Sequence, residues 1–167
     1  MNVSRRACVA VLAWMLTLPV RAGAWGEGAF DNDAAQDFLA ECARSTDATV
    51  VAQAIDMALT ASFVDADDGA AAVAAAELIA SALGSNGAAP KTRVAPCLSA
   101  TPPEQLRALA PRAAQAMVRV TEPASSELAQ QWAEEKPNRW TASVQRLAAR
   151  LRNSLLCAKQ RAPADSR

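Results

Sequence analysis

From Gly69 to Ala82 the chain reads GAAAVAAAELIASA, and this run most narrows what it can fold into. Alanine is the best helix former and brings no polar group that must be satisfied on burial. Helices with such short side chains let neighbouring helix axes approach closely. Asp65-Ala66-Asp67-Asp68 stand just ahead of the run, where a capping carboxylate and acids at the positive helix end are favoured. Gly84 follows it as a natural left-handed stop.

The remaining apolar residues repeat at helical intervals. Ala34 to Cys42 directs Ala35, Phe38, Leu39 and Cys42 inward, and Asp47 to Phe63 repeats Val50, Val51, Ala54, Ile55, Ala58, Leu59 and Phe63, close to the spacing of one helix face. Residues Ser85 to Ala100 hold Gly, Asn, Ser and Pro and read as the longest loop. Thr101-Pro102-Pro103-Glu104 reads as a capping box with proline at the first helical position. The helix it opens runs towards Val120, kinked or interrupted at Pro111. Ser125 or Ser126 starts a helix bearing Leu128 and Trp132. Pro137 or Asn138 starts the last, with Trp140, Val144, Leu147, Leu151 and Leu155 on one face. No run alternates with period two for long enough to be a strand. The expectation is an all-α, single compact domain of about six helices over residues 23–160, followed by a disordered tail over 161–167.

Residues Met1 to Ala22 read as a cleaved signal peptide. Arg5 and Arg6 precede an apolar run from Ala7 to Val20, and Val20-Arg21-Ala22 supplies an acceptable cleavage site. The run is too short for a stable membrane span. Cleavage after Ala22 leaves Gly23 first, with Ala24 the second choice. The protein is therefore expected in the periplasm or secreted.

Without the leader, charge is unevenly spread. Residues 23–90 carry 11 acids against Arg44 alone, whereas residues 91–167 carry 13 bases against 6 acids, giving −10 and +7. Two halves that pack together and neutralise each other are the simpler account; a partner that reads one face electrostatically is the other. The chain has no His and no Tyr, which excludes Ser-His-acid and Cys-His catalysis and histidine metal sites. Any catalysis would rest on carboxylates, Lys or Cys, so the balance leans away from an enzyme, with no catalytic residue, cofactor or metal ligand assigned.

Three cysteines follow the leader: Cys42, Cys97 and Cys157. Their spacing fits no metal motif, and an oxidising compartment favours one disulfide. An up-and-down path puts Cys97 at the end of the bundle where Cys42 lies, so Cys42–Cys97 is expected, with Cys157 free. A crossing short helix would instead bring Cys157 to Cys97.

The least generic stretch is Gly23-Ala24-Trp25-Gly26-Glu27-Gly28-Ala29-Phe30-Asp31-Asn32-Asp33. Gly26 and Gly28 permit backbone angles, including positive φ, that other residues adopt only at a cost. Trp25 and Phe30 can pin the loop to a core. Asp31 or Asn32 can cap the following helix, with Asp33 placed for its dipole. The stretch resembles the opening of a bacterial family catalogued only as a domain of unknown function, the four-two-five-nine group. Its members begin Gly-Ala-Trp-Gly-x-Gly-x-Phe-acid-Asn-Asp-x-Ala-x-Asp-aromatic. Gly23 to Asp33, then Ala35, Asp37 and Phe38, follow that pattern, although the closing aromatic is more often Trp. Asp65-Ala66-Asp67-Asp68, Glu77, and Ser126-Glu127-Leu128 with Trp132 and Glu134 look similar too. The resemblance implies no established activity, substrate or catalytic residue.

Asp65, Asp67 and Asp68 invite comparison with a calcium loop, but counting from Asp65 puts Gly69 at position five and Ala76 at position twelve, where an EF-hand needs oxygen ligands. Capping explains these acids better. Glu77, among alanines, is expected to be buried against a Trp indole or an Arg. Arg139, Arg146 and Arg150 share a strip of the last helix, read as a solvated face with no nucleic-acid partner. Two function classes remain. One is a small exported interaction protein, of an inhibitor or immunity kind, meeting another protein through its acidic half. Its candidate interaction residues are Trp25, Gly26, Glu27, Gly28, Phe30, Asp31, Asn32, Asp33, Asp65, Asp67 and Asp68. The other is a carboxylate-based hydrolase or divalent-cation-binding protein. Acids converging in one pocket would favour the second, and acids dispersed as helix caps the first. Oligomeric state is not written in the sequence.

Overall fold

The alanine-rich run forms a helix, Ala66–Ala82, and every residue from Ala72 to Ala80 is buried. Burial on all sides requires neighbours on all sides. A computed structural model describes residues 26–84 and 91–161, excepting the side chains of Lys91, Leu155 and residues 157–161. The expected leader, Trp25, the free thiol of Cys157 and residues 162–167 of the expected tail lie outside what it describes. The described residues form seven α-helices: α1 (Asp33–Cys42), α2 (Thr49–Thr60), α3 (Ala66–Ala82), α4 (Lys91–Ala100), α5 (Pro103–Val120), α6 (Glu127–Ala133) and α7 (Arg139–Arg161). They pack as one compact all-α domain in which α3 touches each of the other six.

Specific contacts set the directions. Gln105 Oε1 accepts from the Ala48 amide at 2.9 Å, Arg112 pairs with Asp56, and Arg119 donates to the Ala58 and Ala61 carbonyls at 2.9 and 2.5 Å. Helices α2 and α5 therefore run side by side in one direction, and Arg119 covers carbonyls that the end of α2 leaves unpaired. Arg93 reaches Asp31 and the Phe30 carbonyl ahead of α1, while Cys97 is disulfide-bonded to Cys42 at its end. Thus α4 runs alongside α1.

Several expectations are corrected. Residues 91–100 are helix α4, not loop. The Gly and Asn of this stretch lie before Lys91, α4 runs on through Pro96, and Val94 and Cys97 are buried on one face of it. Proline at 111 does not interrupt α5, which is continuous from Pro103 to Val120. Its side chain is exposed, so the carbonyl that it deprives of a partner lies on the solvent side. Thr101 does not cap α5: the N-cap is Pro102, without a side-chain bond, and Thr101 is buried beside Cys42 Sγ. Phe63 lies past the end of α2 and is 44% exposed; Val64 turns inward instead, forming a single bridge to Ser126. That bridge is the only β-pairing outside the helices whose partners are both described.

Other signals act as read. Asn32 caps α1 by accepting from the Ala35 amide at 2.7 Å, Asp65 caps α3 through Asp68 at 2.8 Å, and Ser126 caps α6. Asn138 accepts from the Thr141 amide at 2.9 Å at the start of α7. Gly84 stops α3 with φ of 72°. The two halves neutralise each other in part: Asp31–Arg93, Asp56–Arg112 and Glu77–Arg150 each join an acid of the first half to an arginine of the second.

Candidate functional site

The opening stretch divides among several tasks. Phe30 is buried in the core. Asp31 turns back so that a carboxylate oxygen accepts from the Gly28 amide at 3.2 Å, while the other meets Arg93 at 3.4 Å. Gly26 and Gly28 are needed for this close approach, because a Cβ on either would collide with the Asp31 carboxylate. Neither uses the freedom of a positive φ. Glu27 faces elsewhere, lining a depression with Arg139, Ser143 and Arg146.

The first turn of α3 is fastened from two directions. Asp65 holds the Asp68 amide, and Glu127 from α6 accepts from the Ala66 amide at 3.0 Å. Asp67 is left exposed, and Asp68 partly so. Burial, with repulsion from Asp65 and Asp67, pushes the Asp68 carboxyl above its ordinary value. The sequence-predicted acids therefore divide: Asp31 and Asp65 are occupied in turns and caps, Glu27 lines a separate depression, and Asp33, Asp67 and Asp68 converge on one groove. Among the described residues no three His, Cys, Asp or Glu side chains come close enough to hold a metal ion jointly.

Asp33, Asp67 and Asp68 belong to a groove of about 560 Å³ between α1 and α2, closed by the start of α3. Asp37 and Glu41, which the sequence alone did not single out for this role, continue the acidic wall along α1. Their four-residue spacing from Asp33 is the signal that could have found them, since such residues share a helix face. The opposite wall is Val50, Gln53, Ala54 and Met57 of α2, over a floor of Ala34, Phe38 and Ala71. Phe38 is buried, and Met57 is 49% exposed. No Lys or Arg lines this groove among the described residues. Asp33 and Asp67 also line a cavity of about 30 Å³ behind it, walled by Trp132 and Trp140. Those rings are stacked, with centroids 5.9 Å apart.

Glu77 lies deeper, 4% exposed, with Oε1 2.5 Å from Arg150. Of the two kinds of donor expected for it, a Trp indole or an Arg, the structure supplies the arginine. Burial pushes its carboxyl above the ordinary value despite the opposing pull of Arg150. No helix of the described residues is long and apolar enough to cross a membrane. No curated protein and no solved structure shows a significant match to the chain. A family model does match, over residues 23–143, which takes in the helix caps, the groove and the stacked pair Trp132 and Trp140. The chain belongs to the family described as "Domain of unknown function (DUF4259)".

Proposed function

We propose that this is an exported protein that acts by binding another protein, in the manner of an inhibitor or immunity protein, through its acidic half. One observation carries the reading: the groove between α1 and α2 has five carboxylates, an apolar floor and, among the described residues, no basic residue lining it. Elsewhere the acids Asp31, Asp56 and Glu77 each have an arginine, Asp47 and Asp65 accept from backbone amides of their own turns, and Glu27 lines a depression with Arg139 and Arg146, so the groove is where most of the first half's remaining carboxylates gather. Potentials of one sign in a concave surface steer oppositely charged partners and set specificity. The Cys42–Cys97 disulfide fits the oxidising compartment that the leader implies. The test is a pull-down from periplasmic extract with the wild-type protein and with a variant carrying Asp33→Asn, Asp37→Asn and Glu41→Gln. Capture of a protein by the wild type alone is the expected result; equal capture by both would sink the proposal.

A further inference from the structure

The two walls of the groove differ in kind, and the difference describes its occupant. Along α1, Asp33, Asp37 and Glu41 are exposed carboxylates at four-residue intervals, which places them about 6 Å apart along the helix axis. Along α2, Val50, Gln53, Ala54 and Met57 present an uncharged wall in the i, i+3, i+4, i+7 pattern of one helix face. Asp67 and Asp68 close one end. We infer that the groove receives an amphipathic helix of a partner protein, with cationic side chains every four residues against α1 and apolar side chains beside them against α2. This rests on the reading that the protein acts through its acidic half.

A helix fits the spacing because residues four apart on the ligand also advance by about 6 Å. The ligand cations thus stay in step with the α1 carboxylates over three positions. An extended strand fits less well. It gains affinity by adding backbone hydrogen bonds to a sheet edge, whereas both walls here are helices whose backbone groups are already paired internally. A small monovalent cation would engage only one part of an acidic wall spanning about 12 Å. The partly exposed Met57 supplies the adaptable apolar contact that grooves for helical ligands use. Mutual repulsion around Asp68 would be relieved by an incoming cation.

The experiment measures fluorescence anisotropy of two labelled peptides, each of about 18 residues, with the protein recovered from expression of the full chain. One peptide is a helix former with Lys every fourth residue beside a Leu stripe; the other has the same composition, scrambled to abolish the stripe. The amphipathic peptide should bind at least tenfold more tightly than the scramble. The Asp33→Asn/Asp37→Asn/Glu41→Gln variant should lose at least tenfold in affinity while keeping its circular-dichroism melt. The variant Met57→Lys should also weaken binding. Equal binding of the two peptides, or no effect of the rim substitutions, overturns the inference. Failure of both peptides, with the periplasmic pull-down still rim-dependent, overturns the helix assignment and leaves the interaction reading standing. Self-association of the protein alone that the rim variant abolishes would assign the groove to a second copy and overturn the inference as well.

Discussion

Glu77 of α3 and Arg150 of α7 stand 2.5 Å apart, the carboxylate side chain 5% exposed and the guanidinium 25%. Removing one member of such a pair leaves a buried charge uncompensated, which costs about 3–5 kcal/mol. Arg150→Met should therefore destabilise the protein strongly at pH 7. The sign with pH follows from burial, which already holds the Glu77 carboxyl above its ordinary value. A carboxyl raised in the folded state contributes stability that is present below its unfolded value and lost as pH rises through its folded one. Without Arg150 the carboxyl moves further up, so the penalty should be smaller near pH 5 than at pH 7. Urea denaturation at the two pH values measures this; an equal penalty at both would contradict it.

The Asp31 carboxylate occupies the space that a side chain on Gly28 would need. Gly28→Ala should destabilise the protein, and Asp31→Ala should suppress most of that cost. A coupling between the two of about 0.5–3 kcal/mol in a double-mutant cycle is the expected size for residues in contact. Additive effects would mean that the collision is not what keeps glycine there.

Cys42 and Cys97 are joined across a sequence separation of 55. Closing a loop of that length stabilises by about 4 kcal/mol in the chain-entropy model. The double variant Cys42→Ser/Cys97→Ser should lose stability of that order in denaturant titrations. Non-reducing peptide mapping should recover a Cys42–Cys97 peptide; recovery of Cys97 joined to Cys157 would refute the pairing.

Gly69 sits in α3, and an added Cβ there would meet Leu128 at 3.4–3.5 Å and Val64 at 3.7 Å, which is ordinary van der Waals contact. Gly69→Ala should raise stability by about 0.5–1 kcal/mol, the backbone cost of glycine in a helix. The larger Gly69→Leu overpacks the same spot and should lower it by about 1–3 kcal/mol. Thermal melts of the two variants should move in opposite directions.

Local chemistry made much of the fold legible. Asn32, Asp65 and Ser126 cap the helices they precede, since a short polar side chain reaches the orphan amides of its own next turn wherever the rest of the chain goes. Glu77 could be read as buried because an acid among alanines has no exposed face to prefer, although only packing chose Arg150 over an indole. What failed had local and distant causes. The helical spacing of Val94 and Cys97 was masked by the Gly and Pro before it, and Thr101 gave up capping when burial beside Cys42 took its side chain. The groove was half legible: Asp33, Asp67 and Asp68 were among the residues expected to act, but Asp37 and Glu41 join them only because α2 lies alongside α1. Nothing local in Val50 or Met57 announces that partnership.

Because α3 touches every other helix, the change in charge sign near residue 90 is not a seam between two foldable parts. Two polypeptides divided there would each lack surfaces that complete the core: the acidic one would keep α3 covered by α1 and α2 but stripped of α4 to α7, and the basic one would carry α5 and α7 without their central helix. Mixed together, they carry opposite net charges that draw them into encounter. Reassembly would rebuild Asp31–Arg93, Asp56–Arg112 and Glu77–Arg150 at once, and Cys42–Cys97 would then fasten the reconstituted pair covalently.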